Sequence, residues 1–447
     1  MKFATNTPTG NRSRRRSLAG VAVVAVLAGG LVTRFVTASS EPASEAVPVA
    51  RAPGEQVATL ERRVATNPAD LEGWQGLASA YLARAAATAD PADYALAETA
   101  IETADELRPG DPVTTATRGQ LALSLHEFAD ALELGQRARS ELPDNPAVLA
   151  VVVDAEVELG HYDEAAATLQ TLLDRRPALP ALARVSYLRQ LHGDLPGATT
   201  AMSQAVTAGT GSAFDEAVVT SLLGDLHRRA GDLDAAAAAY GRALDAAPEL
   251  VSAVVGAAWV QAAEGDVDGA VAAVEAQVDR FPALAAVLFL ADLQRADGAA
   301  ADAADAAELV RAIAALQEEA GQVVDLEMAL FEADEGTDPD RAVELAERAY
   351  GARPDNIFVA DALAWARFRA GDPAAARPLV DEALRLGSTE PSIRYHAAEI
   401  TAALGDTAAA TEHVRLALVD PWSSFRHHDR LLALAGELGV APSVVGS

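Results

Sequence analysis

The stretch Gly231–Pro248, GDLDAAAAAYGRALDAAP, constrains the fold more than any other part of the chain. Gly231-Asp232 opens a turn. Ala236, Tyr240 and Ala243 follow, and Pro248 closes the unit. Spacings of four and then three put those side chains on one face of a helix. Small residues on that face admit a second helix at close range, and the proline marks where the helix has stopped. The unit recurs as Gly265-Asp266 with Ala270, Val274 and Pro282, and as Gly371-Asp372 with Ala376, Val380 and Ala383. It recurs at Gly405-Asp406 with Ala410, Val414 and Ala417, and at Gly193-Asp194 with Ala198, Met202 and Ala205. Gly160 leads to Ala165, Leu169 and Pro177. Gly231 and Gly265, like Gly371 and Gly405, stand about 34 residues apart. A period of that length describes a helical hairpin that buries its apolar face only by stacking on its neighbours.

Length and composition agree with stacking. At 447 residues the chain is too long for one compact core and natural for an array. Half of it is apolar, yet only 5% is aromatic. Alanine makes up much of the difference, and alanine is the best helix former. The absence of cysteine excludes disulfides, thiolate metal sites and cysteine nucleophiles.

The net charge of −30 is unevenly placed. Residues 1–38 hold Lys2, Arg12, Arg14, Arg15, Arg16 and Arg34 and no acidic residue, so the body is more acidic than the whole. Such a body repels nucleic-acid phosphates and anionic lipid heads, which argues against a nucleic-acid partner.

In chain order, residues 1–17 form a basic leader, 18–38 an apolar helix, and 39–55 a Pro/Ser/Glu linker. The repeat array is expected over 56–420, a capping helix over 421–438, and a disordered tail over 439–447. The apolar run Leu18–Thr33 is short of the ~20 residues of a full span, but Arg34 can reach an interface and extend it toward Val36. An uncleaved signal anchor is the favoured reading. A signal peptide cut before Ser39, releasing a secreted body, is the alternative. Ser13–Leu18 resembles a twin-arginine export signal, with Ser17 where phenylalanine is usual. Either reading leaves the basic leader in the cytoplasm and the acidic body outside. The seventh unit is irregular: its second helix, about Ala300 to Glu319, is long and lacks a closing proline, which predicts a kink or division there.

The units resemble tetratricopeptide repeats. The matching positions are the small residue of the first helix (Gly224, Ala258, Ala364, Ala398), the turn glycine, the second-helix alanine and the closing proline. Leu71–Tyr81, with Trp74, Leu77 and Tyr81, is similar to a first helix of that family. The resemblance implies an all-α, right-handed superhelix (an α-solenoid) of about ten helix-turn-helix units. It further implies that first helices line a concave groove. Carried onto this sequence, the groove positions are Tyr187, Trp259, Phe289, Phe331, Phe358, Trp365, Phe368 and Tyr395, with Arg228, Asp361 and Glu399 among them. Aromatics beside carboxylates suit an extended protein segment with apolar and basic side chains. The competing reading places about half of these rings in the core between helices. Leu60–Tyr81 is also similar to membrane-anchored repeat proteins of cytochrome c maturation, which would make the chain a holder of unfolded apocytochrome.

Catalytic constellations are not evident. There is no P-loop, dinucleotide fingerprint, zinc-protease helix or nucleophile elbow. Asp334-Glu335 with Asp338 and Asp340 lacks the bidentate glutamate of a calcium loop. His396, His413, His427 and His428, with Glu399, come from consecutive predicted helices and offer a metal-binding alternative. The sequence therefore describes a non-catalytic binding scaffold with no cofactor.

Overall fold

The structure, a computed structural model, describes residues 53–88, 90–175, 178–209, 213–420, 422 and 424–441. The leader, the apolar segment 18–38, most of the linker and residues 442–447 lie outside the described residues.

The described residues form 22 helices and no strand. A lead-in helix α1 (Pro53–Thr66) is followed by ten hairpins. These are α2–α3 (Leu71–Thr88, Ala92–Leu107), α4–α5 (Pro112–Ser124, Phe128–Glu141), α6–α7 (Pro146–Leu159, Tyr162–Arg175) and α8–α9 (Leu179–Leu191, Leu195–Ala208). Then come α10–α11 (Ala213–Arg229, Leu233–Ala246), α12–α13 (Val251–Ala263, Val267–Arg280) and α14–α15 (Leu284–Ala296, Ala300–Glu319). The last three are α16–α17 (Asp325–Glu335, Pro339–Ala352), α18–α19 (Ile357–Arg369, Pro373–Ala383) and α20–α21 (Pro391–Ala403, Thr407–Ala417). A short α22 (His428–Glu437) ends the fold.

The recurring Gly-Asp pair has a local cause. Gly231 takes φ +77, a left-handed conformation that ends α10 without steric cost. Asp232 then caps α11, its side chain accepting from the Ala235 N–H at 3.0 Å. Asp194, Asp266, Asp372 and Asp406 cap their helices in the same way. One dipeptide thus stops one helix and starts the next.

Packing inside the hairpins depends on small residues. Tyr240 of α11 is fully buried between Gly224 of α10 and Gly256 of α12, and its hydroxyl donates to Asp225 at 2.6 Å. A Cβ on Gly224 would stand 2.7 Å from the ring, and one on Gly256 would collide with it. The ring fills a slot that only glycine leaves open.

Successive hairpins stack closely except between α15 and α16. At that junction the connector turns to a distant part of the array. Val323 N–H donates to Leu125 O at 3.0 Å, Gln322 donates to Ser124 O at 3.2 Å, and His126 Nδ1 meets Val323 O at 2.7 Å. Further contacts join early and late parts of the chain. Glu158 pairs with Arg353 at 3.1 Å, 195 residues on, and Asn356 donates to Glu158 O at 2.9 Å. Arg385 donates to the carbonyl of Asp355 and approaches that of Gly160, and Arg229 pairs with Glu390. Arg228 pairs with Asp420 at 2.6 Å, 192 residues on. The array therefore turns back on itself, and the early hairpins rest against the late ones. Leu149, Val153 and Tyr162 share one apolar cluster with Leu326, Ile357 and Phe358. Gly160 sits at the tightest of these approaches: φ is +84, and a Cβ there would collide with the Asp355 carbonyl.

Two expected boundaries move. The lead-in helix starts at Pro53, inside the expected linker, because proline is well tolerated in a first helical turn. The expected capping helix over 421–438 is helical only from His428, with turns at Trp422 and at Phe425–His427. Val440, placed in the expected tail, is buried, and its N–H donates to Ala435 O.

Candidate functional site

The first helices α12, α14, α16, α18 and α20 face a common concave surface, and the segment Trp422–Arg430 lies in it. The ring of Phe425 meets Trp259 of α12 edge-on at 5.7 Å and Phe289 of α14 at 5.8 Å. Arg426 donates from Nε to Asp292 of α14 at 2.7 Å and from Nη2 to Glu335 of α16 at 2.8 Å. Glu335 also accepts from Arg295 at 2.8 Å. His427 stacks on Tyr395 of α20 at 4.8 Å and stands 3.0 Å from Asp334 of α16. Arg430 pairs with Glu399 of α20 at 2.7 Å. Trp422 packs on Phe425 and stacks on His428.

The floor of this surface is closely packed. Trp365 of α18 is 1% exposed and donates its indole N–H to Asp334 at 2.7 Å. Its faces are taken by His396 at 4.1 Å and Phe368 at 5.4 Å. His396 in turn meets Asp361 at 2.9 Å. Burial opposes charge on Asp334, but His427 beside it, with Arg426 and His396 near, holds its carboxyl well below the usual range. Burial pushes Asp292 up, and Arg426 partly offsets this. The Arg228 guanidinium lies over Trp259 at 4.5 Å, closing one end.

The groove expected from the sequence is thus present in part and is not open. Trp259, Phe289, Asp361, Trp365, Phe368, Tyr395 and Glu399 come together, with Arg228 at the margin. Three expected members lie elsewhere. Tyr187 and Phe358 belong to the apolar cluster where early hairpins meet late ones. Phe331 is buried under Arg311 of α15, 5.2 Å above its ring. Tyr187 and Phe358 lie elsewhere because the array folds back and buries them, and Phe331 because it packs against the neighbouring α15.

The sequence reading missed Phe425, Arg426 and Arg430, and named His427 only in the metal-binding alternative. Their signal was available: a run of aromatic and basic residues, opposite in sign to the groove, in a chain poor in rings and net acidic. Of the histidines of the metal alternative, only His396 and His427 lie near each other, their rings 6.4 Å apart. His396 and His427 each take a separate aspartate, His413 lies 3.3 Å from Arg394, and His428 stacks on Trp422. Among the described residues, no cluster of three metal-ligating side chains occurs. Asp338, from the weak calcium motif, caps α17 instead. Among the described residues no helix is long and apolar enough to cross a membrane, and the expected segment 18–38 lies outside them.

A hairpin array with a segment held in its concave face defines a helical-repeat interaction scaffold. Residues 122–188, 221–282 and 362–424 match the tetratricopeptide repeat. The chain is a tetratricopeptide-repeat protein. Solved structures with similar folds include a thermophilic tetratricopeptide-repeat protein of Thermus thermophilus, at 21% identity and TM-score 0.36, covering 47% of this chain and all of that one. The Cut9–Hcn1 hetero-tetramer of the APC/C matches at 14% identity and TM-score 0.38, covering 85% and 92% of the two chains. The human IFIT1 dimer with PPP-AAAA matches at 15% identity and TM-score 0.48, covering 82% and 86%. No curated protein matches the chain.

Proposed function

We propose that the protein is a non-catalytic scaffold that binds a protein segment in the concave face of α12 to α20. It is tethered by residues 18–38 at a membrane with its repeats on the extracytoplasmic side. One observation carries the binding reading: a segment of aromatic and basic side chains already sits in that face, held by Asp292, Asp334, Glu335 and Glu399. Aromatic anchors in desolvated pockets and fully paired arginines are the features that give a protein interface its affinity. The charge asymmetry across residues 18–38 supports the tether and its orientation.

Crosslinking in the native cell tests the binding reading. A photoreactive residue replacing half-buried Phe289 is expected to capture a discrete protein. The same residue replacing exposed Gly241, on second helix α11, is expected not to capture it. Equal capture from both positions overturns the proposal. Fractionation tests the tether. The body should sediment with membranes and be digested by protease only after the envelope is permeabilised. A soluble mature chain beginning at Ser39 overturns the anchor.

A further inference from the structure

We propose that Phe425, Arg426, His427 and Arg430 are a resident pseudo-ligand, and that the groove's outside partner is a protein segment bearing an aromatic–arginine pair with a second arginine four residues on. The inference rests on the binding reading above and names both the partner's chemistry and the gate it must pass.

Electrostatics set the partner's chemistry. Asp292, Asp334, Glu335 and Glu399 project from three first helices toward one volume, and the guanidinium groups of Arg426 and Arg430 and the ring of His427 lie between them. Arg426 spans Asp292 and Glu335, His427 meets Asp334, and Arg430 meets Glu399. Without that segment, Arg295 would still pair with Glu335, but Asp334 and Glu399 would lose the partners the segment supplies, across a partly dry surface. The face therefore favours a cationic segment. Beside them, Trp259 and Phe289 form a ring-sized recess filled by Phe425. An acidic, lipid or nucleic-acid ligand offers neither the charge nor the ring in that order.

The manner of attachment makes the resident displaceable. Phe425–His427 hold the groove through side chains, while their nearby backbone bonds are local, such as His427 N–H to Ser424 O at 3.3 Å. The segment lies after all ten hairpins. The contacts between early and late hairpins, from Leu125–Val323 to Arg229–Glu390, do not involve it. Phe425 is buried in the same apolar cluster as Leu431, Leu434 and Ala435 of α22, and those three keep their places when it leaves. Residues 424–430 leave the face by unwinding the first turn of α22, while the array stays closed.

The test uses the full chain and a fluorescent synthetic peptide copying residues 424–431, with anisotropy as the readout. The double variant Phe425→Ala/Arg426→Ala is expected to bind the peptide about tenfold or more tightly than the unaltered protein. That is the factor by which a resident filling the groove about nine-tenths of the time weakens an outside ligand. A peptide carrying glutamate in place of the arginine of Arg426 should not bind. A variant that keeps its helical content and gains no affinity overturns the proposal. If the variant does not fold, hydrogen exchange on the unaltered chain decides. Peptide in excess of the roughly millimolar effective concentration of a tethered segment should speed exchange at 425–430. Unchanged exchange there overturns the proposal. So does concentration-dependent dimerisation through exchanged C-terminal segments, which would make a second copy the occupant. Failure here with a partner still captured at Phe289 removes the gate and leaves the scaffold standing. Peptide binding by the variant with no partner captured in the cell removes the scaffold and leaves the gate.

Discussion

Arg426 and Asp292 meet at 2.7 Å across 134 residues of chain. That bond places the segment before α22 inside the concave face, while α22 itself packs on α21 of the last hairpin. It changes what the aromatic residues of the first helices are expected to do when altered.

Trp365 is the clearest case. A ring that is 1% exposed, stacked on His396 and bonded to Asp334, is floor before it is contact surface. Trp365→Ala should cost about 3–5 kcal/mol of stability. Thermal unfolding followed by circular dichroism, with hydrogen exchange to locate the loss in α16 to α20, checks this. A variant with unchanged melting would place the ring outside the core.

Gly160 and Gly371 separate local strain from array closure. Both hold positive φ, so alanine at either strains the backbone by about 1–3 kcal/mol. Only Gly160 lies against Asp355; nothing stands within 4 Å of a Cβ on Gly371. Gly160→Ala is therefore expected to destabilise more and to raise the radius of gyration in X-ray scattering. Gly371→Ala should leave the radius unchanged.

Gly256→Ala should cost about 1–3 kcal/mol, because the added methyl drives Tyr240 from its slot. Tyr240→Leu made in the same chain should recover part of that loss, since the smaller side chain leaves room. A double-mutant cycle by urea denaturation measures the coupling, and strict additivity would contradict the slot.

Glu158 gives the closure a pH dependence. Burial pushes its carboxyl up to about 8, against the opposing pull of Arg353. A carboxyl raised on folding binds its proton more tightly in the folded state. Its contribution is complete below the unfolded value near 4.5 and is lost as pH rises through about 8. Between those limits the slope from this one group is at most about 1.4 kcal/mol per pH unit. Urea denaturation at several pH values should show stability falling toward pH 8, and Glu158→Gln should flatten that fall. Asp154, raised to about 6 by burial beside Arg184, adds a similar loss at lower pH that Glu158→Gln leaves in place.

The hairpins and their order were readable from residues alone, because the forces that make them are local. A glycine that ends one helix, an aspartate that caps the next and an alanine face at spacings of three and four act within a few residues. Five hairpins carry the full Gly-Asp pair and the others only part of that logic, and the irregular helix stands at Ala300–Glu319, where the closing proline is missing. Because first-helix positions recur with the same period, Trp259, Phe289, Trp365, Phe368 and Tyr395 could be named together from the sequence. The occupant of the surface they share could not. The pairing of Arg426 with Asp292, of Glu158 with Arg353, and of Gly160 with Asp355 depends on how far each hairpin rotates against the last. That rotation is a sum of small packing angles with no signature at any one residue, and only the tertiary structure adds them up.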